Sequence, residues 1–177
     1  SFSFSERVIV SSVDLSLLTF VSSASSTPSV SYTLTGGQIQ SSTPSPTFTF
    51  QLLKVDFDEL SRLVGLADSI DNTYCHFGTS FLNDMVSLPI ISLASSTALK
   101  ASAYVADLTR PTLVAFDLNM NTNTIRLSFS EIVNASTFDA TAIRIMSDSL
   151  STLSHSLTGS VSSSSTNALE LVFVLLQ

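Results

Sequence analysis

The chain contains no tryptophan, a single cysteine and only seven lysines and arginines among its 177 residues. Each shortage closes a route. One cysteine, Cys75, cannot form an internal disulfide, so no covalent staple holds this fold. Free cysteine is among the most buried residue types, and Cys75 beside His76 and Phe77 reads as a buried thiol. A reactive thiol or an interchain bridge is the alternative. A net charge of -7 with so few cations argues against nucleic-acid partners and against a polybasic membrane contact, because both need clustered positive charge. No run approaches the ~20 apolar residues of a transmembrane helix. The longest, Leu169 to Leu176, is strand-sized. The opening Ser1-Phe2-Ser3-Phe4-Ser5 lacks the basic start and apolar block of a secretory signal, so a secreted protein would carry its signal upstream of this chain.

Charge is also scarce. Charged residues make up 12% of the chain, against roughly 25% in ordinary soluble domains. Apolar residues make up 44%, which excludes a disordered, solvating chain. Serine and threonine, about a third of all residues, must therefore keep the surface wet. That bias is characteristic of extracellular, glycosylated segments.

Self-comparison gives an internal repeat. At an offset of 125, Phe4-Ser5-Glu6 falls on Phe129-Ser130-Glu131, and Val8, Ser11 and Asp14 fall on Val133, Ser136 and Asp139. Past a two-residue deletion the offset becomes 123. Leu34-Thr35-Gly36 then meets Leu157-Thr158-Gly159, Ser41-Ser42-Thr43 meets Ser164-Ser165-Thr166, and Phe50, Leu52 and Leu53 meet Phe173, Leu175 and Leu176. The natural boundary is the polar, proline-ended linker 107–111. The expected organisation is a first repeat over 1–106 that lacks its first strand, and the first half of a second repeat over 112–177. That is about 1.4 copies, each incomplete.

The periodicity is that of strands. Ile125, Leu127 and Phe129 alternate with polar residues, as do Ile143 and Ile145, Leu169, Leu171 and Phe173, Leu18 and Phe20, and Phe48 and Phe50. Such alternation buries one face of each strand, as two packed sheets require. Gly36-Gly37 and Thr43-Pro44-Ser45-Pro46 read as turns. Residues 73–78, 90–93 and 101–105 read as strands that close the first repeat. Residues 56–66 alone show helical spacing, with acids in the first turn and a late glycine, and predict one short helix crossing between sheets. The fold class expected is all-β, with about seven short strands per copy.

Pro111-Thr112-Leu113, and then the run from Thr124 through Phe129-Ser130-Glu131 to Phe138, resemble the start of a bacterial surface-layer-type (SbsA-type) Ig-like domain. Asn72-Thr73-Tyr74 is similar to a later Thr-Tyr strand of that family, and Leu82-Asn83-Asp84 to the aspartate-bearing turn after it. Met85-Val86-Ser87 stands where the family has Ala-Gly-Asn. The resemblance covers nearly the whole chain in pieces. It implies Ig-like β-sandwich repeats of the kind found in very large surface and fibre proteins, a scaffolding or adhesive role, and no catalytic residues.

Candidate sites are few. Glu6 and Glu131 recur in both copies and, with Asp84 or Asp107, are candidate calcium ligands at a domain junction. The alternative is strand-end carboxylates bonded to turn amides, since a cage of roughly six or more oxygens is not visible. Asp14 and Asp139 read as turn starters through Asx-type bonds. Asn134-Ala135-Ser136 is an N-glycosylation sequon. Thr27, and Thr43 and Ser45 with Pro44 and Pro46, resemble O-linked or hydroxyproline-linked glycan sites, or else ordinary rigid turns. His76 and His155 share no context, and no nucleophile elbow or zinc spacing is present, so the chain reads as non-enzymatic and without a cofactor beyond covalent glycans. His155 takes the place of Tyr32 in the repeat and reads as a surface strand residue.

An incomplete sandwich exposes strand edges, a polymerisation hazard unless something fills them. The function expected is a structural subunit of an extracellular or cell-surface glycosylated filament, a homopolymer joined head-to-tail by β-strand complementation between repeats. The alternative is an adhesion module that binds a surface glycan or protein through sandwich-end loops. An exposed aromatic cluster would favour it, but there is no Trp, only three Tyr, and most of the twelve Phe occupy core-facing strand positions. An accessory domain of a secreted hydrolase is a third reading, and it would need a catalytic domain outside this chain.

Overall fold

A computed structural model describes residues 1–40, 43–148, 153–162 and 166–175. Ser41, Ser42, Ser164, Ser165 and Leu176 of the sequence repeat lie outside the described residues. The chain divides into two compact units, Ser1–Asp107 and Leu108–Gln177. The architecture is mostly β, with antiparallel sheets and one short helix.

The first unit holds β1 (Phe2–Val8), β2 (Leu18–Val21), β3 (Ser31–Thr33), β4 (Gln38–Ile39), β5 (Ser45–Phe48), β6 (Phe50–Gln51), helix α1 (Lys54–Arg62), β7 (Tyr74–Phe77) and β8 (Leu99–Lys100). β1 pairs with β5, β4 with β6, and the remaining strands form one sheet in the order β3-β2-β7-β8. Val8 from β1, Leu18 from β2, Phe48 from β5 and Phe77 from β7 belong to one buried cluster with Phe81 and Leu82. Side chains of separate sheets thus share one core. Burying each such side chain contributes about 1.5–3 kcal/mol.

The second unit holds β9 (Leu113–Asn119), β10 (Thr124–Val133), β11 (Arg144–Met146), β12 (Ser154–Ser156), β13 (Ser160–Ser162) and β14 (Ala168–Leu175). One sheet has the order β13-β14-β10-β9, and β11 pairs with β12 alone. Its core is smaller: Ile125, Leu127, Leu171 and Phe173 are buried, and Phe138 stacks on Phe173 with ring centroids 3.5 Å apart.

The ladders of the two units correspond residue for residue at the offsets of the sequence repeat. Phe2 faces Phe48 as Leu127 faces Leu171, and Val8 faces Ser45 as Val133 faces Ala168. Phe20 faces Tyr32 as Ile145 faces His155, and Ile39 faces Phe50 as Ser162 faces Phe173. β1 and its counterpart β10 both bulge before their last pair, between Ser3 and Val8 and between Ser128 and Val133. Each is followed by two 3-10 turns, Val10–Ser12 and Leu15–Leu17 in one unit, Ala135–Thr137 and Ala140–Ala142 in the other. As the Asx spacing predicts, the amide and hydroxyl of Ser16 donate to Asp14 Oδ1 at 3.0 and 2.6 Å. Those of Thr141 donate to Asp139 Oδ1 at 2.9 and 2.7 Å. These bonds hold the Asp139 carboxyl below its ordinary pKa.

Several expected elements are corrected. Ser45 and Pro46 are strand residues of β5, not a turn. Pro46 lacks an N–H, and it fits because β5 is an edge strand with β1 as its sole ladder neighbour. The helix spans Lys54–Arg62 instead of 56–66, because Leu63 leaves helical geometry and Gly65 (φ +83°) turns the chain. Residues 90–93 make no strand, only a bridge between Leu93 and Phe77, and closure comes from Leu99–Lys100 instead of 101–105.

Candidate functional site

In the first unit, β7 and the residues after it cover β2 and both 3-10 turns. Leu18, Thr19, Phe20 and Val21 face Phe77, His76, Cys75 and Tyr74 across an antiparallel ladder. Beyond β7 the chain crosses the turns. The Asp14 amide donates to the Phe81 carbonyl at 2.9 Å, and the Ile9 amide donates to the Asn83 carbonyl at 2.9 Å. The Asn83 amide donates to Ser12 Oγ at 2.9 Å. Phe81 is wholly buried, 4.6 Å from the ring of Phe77 and 6.0 Å from that of Phe2.

The matching face of the second unit differs. Among the described residues β11 has one ladder neighbour, β12. Beside it lies an apolar groove of about 590 Å³, lined among others by Phe116, Ile125, Leu127, Phe138, Ile143 and Ile145. The Asn134 and Asp139 amides stand at the positions of Ile9 and Asp14, and neither donates a hydrogen bond among the described residues. Thr137 Oγ1 stands in for Ser12 Oγ and, like it, donates to the carbonyl three residues back, at 2.9 Å. The groove therefore combines a mostly apolar lining, with Asp139, Arg144 and Asp148 also at its wall, and two backbone amides that donate no hydrogen bond among the described residues. Sequence reasoning did not find this groove, because its walls come from strands far apart in the chain.

Of the calcium candidates in the first unit, Glu6 and Asp84 line one cleft of about 350 Å³ with Phe4, Val8 and Leu88, and Asp107 is not part of that lining. Asp84 Oδ1 is already engaged by the amides of Val86 and Leu88 at 2.9 and 2.8 Å. Glu131 Oε1 is buried without a hydrogen-bond partner. Among the described residues no three histidine, cysteine or acidic side chains converge as metal ligands.

Asn134 is exposed and caps the Ala135–Thr137 turn, accepting at Oδ1 from the Ser136 amide and hydroxyl at 3.0 and 2.7 Å. Its Nδ2, the atom N-glycosylation modifies, makes no hydrogen bond among the described residues. Thr27 and Thr43 are exposed, as is Pro46. Pro44 offers its carbonyl to Arg7 at 2.9 Å, and half-buried Ser45 accepts the Thr47 amide at 3.1 Å. His155 is exposed on β12.

Two buried groups are anchors. Cys75 packs into the first core, and desolvation pushes its thiol up to about 11, far from a reactive thiolate. Asp56, in the first turn of α1, is wholly buried. Its Oδ1 accepts from the Tyr32 hydroxyl at 2.8 Å and from the Thr35 amide and hydroxyl, both at 2.9 Å. Burial, then the Asp56 carboxylate, pushes the Tyr32 phenol up to about 12. Sequence reasoning noted Asp56 only as one of the acids in the first turn of the helix. The available signal was its i, i+4 spacing to Leu60, which puts both on one helix face.

Compared with protein-family models, curated proteins and solved structures, the chain has no match in any of the three.

Proposed function

We propose that this chain is a structural subunit of an extracellular, glycosylated filament or surface fibre, built from Ig-like β-sandwich repeats of the surface-layer type and assembled head-to-tail by β-strand complementation. One observation carries the reading: two units with the same ladders differ in that, among the described residues, β2 has the two ladder neighbours β3 and β7 whereas β11 has the one neighbour β12. A sheet edge beside an apolar groove favours strand addition, and a contact between unlike faces that does not close into a ring propagates as a fibre. The Ser/Thr-rich surface and the exposed Asn134 sequon support an extracellular setting, and no step in this reading calls for catalysis or a cofactor.

Negative-stain electron microscopy and intact mass on the same native material test it. Regular filaments with a mass excess in sugar increments are expected. Discrete monomers of unmodified mass overturn it. That outcome would favour an adhesion module, for which the exposed Val86, Leu88 and Ile91 are the observed contact candidates.

A further inference from the structure

We infer that Thr27, at the tip of the β2–β3 hairpin, is an acceptor for an O-linked sugar. The inference rests on the extracellular, glycosylated reading and names one site for it. Residues 22–29, Ser-Ser-Ala-Ser-Ser-Thr-Pro-Ser, form this tip. Its base is closed by bonds of its own. The Ser22 amide donates to the Val30 carbonyl at 3.0 Å, and the Val30 amide donates to Ser22 Oγ at 3.2 Å. Ser22 Oγ and Ser29 Oγ share a hydrogen bond at 3.0 Å. Ser25 Oγ accepts the Thr27 amide at 3.2 Å, and the Ser95 hydroxyl donates to the Ser25 carbonyl at 2.7 Å. The tip is thus pinned from both sides.

Those bonds sort the hydroxyls. Ser22, Ser25 and Ser29 are engaged inside the tip. Ser23 is half-buried. Ser26 and Thr27 are exposed, and their hydroxyls take part in no hydrogen bond among the described residues. What separates Thr27 from Ser26 is the proline that follows it. Pro28 biases the residue before it to an extended backbone, the form in which peptide segments are commonly gripped by other proteins. Ser45, which also neighbours prolines, is half-buried in β5 and accepts the Thr47 amide at 3.1 Å.

Charge selects a sugar over a phosphate. No charged residue stands between Asp14 and Lys54, so a phosphate dianion at Thr27 would find no cation in this stretch, and a neutral sugar needs none. In the step, Thr27 Oγ1 attacks the anomeric carbon of a nucleoside-diphosphate sugar. One C–O bond forms, the C–O bond to the diphosphate breaks and takes its electron pair with it, and the hydroxyl proton passes to a base of the cell's transferase.

Mass spectrometry on chain purified from its native source tests this. Trypsin releases Val8–Lys54 whole, because no lysine or arginine stands between Arg7 and Lys54. Electron-transfer fragmentation of that peptide should place a hexose or N-acetylhexosamine on Thr27. Thr27→Val should remove it and leave the urea midpoint unchanged, since the Thr27 hydroxyl makes no hydrogen bond among the described residues. A bare Thr27, a phosphate there, or sugar confined to the serines of the tip overturns the inference. Filaments whose sugar sits only on Asn134 remove this inference and leave the fibre reading standing, whereas unmodified monomers remove both.

Discussion

Gly37 lies against Leu15 so closely that a Cβ at Gly37 would sit 2.6 Å from Leu15 Cδ1 and 3.1 Å from the Gln51 carbonyl oxygen. At the matching positions of the second unit stand Ser160 and Ala140. The larger residue has changed sides: glycine against leucine in one unit, serine against alanine in the other. Gly37→Ser should destabilise the first unit by about 1–3 kcal/mol through overpacking. Leu15→Ala should cost about 2–5 kcal/mol through the cavity. The double variant should cost less than the sum, a coupling of at least about 1 kcal/mol in a urea-denaturation cycle. Strict additivity would show that the two side chains do not compete for the same space.

The phenol of Tyr32 and the thiol of Cys75 both hold their protons more tightly in the folded chain, at about 12 and about 11. Folded values raised above the unfolded ones give stability that is fully present below the unfolded pKa and lost as pH rises through the folded one. The urea midpoint should therefore hold up to about pH 9 and fall from there to about pH 12. Tyr32→Phe should flatten the part of this fall above pH 10 while lowering stability at pH 7, since Asp56 loses a donor. An unchanged slope would remove Tyr32 as the titrating group.

Ser87 adopts φ +66° in the turn closed by the Asp84 side chain. Glycine tolerates this region without strain, so Ser87→Gly should raise stability by about 0.5–1 kcal/mol, read as a higher melting temperature. A lower one would show that chain entropy outweighs the relief.

Asn134→Gln in chain purified from its native source should remove one discrete block of sugar mass and lower stability by about 0.5–2 kcal/mol, because the longer side chain loses the cap that Asn134 Oδ1 makes with the Ser136 amide and hydroxyl. An unchanged intact mass would show that the sequon is unused.

The strand frame was legible because period-two alternation and a repeat both leave marks in sequence: Phe4 on Phe129 and Leu34 on Leu157 foretell matched ladders. Local turn chemistry was legible too, at Asp14 and Asp139. Features set by tertiary partners were not. Thr43-Pro44-Ser45-Pro46 has turn composition, yet its second half is drawn into pairing with β1. Ile90–Leu93 has strand composition, but Phe77 reaches only Leu93. Asp56 looks like an ordinary helix-start acid until Tyr32 and Thr35 arrive from another part of the chain. The groove draws its lining from β9, β10, β11 and the turns between them, which no local pattern brings together.

The change of offset from 125 to 123 falls between β2 and β3 in one unit and between β11 and β12 in the other, and the ladder registers on either side are the same. The connection between these paired strands thus differs in length by two residues while the cross-strand pairs keep their register. A two-residue insertion there is therefore one the paired frame accepts, whereas a one-residue slip within the strands would turn every buried side chain outward.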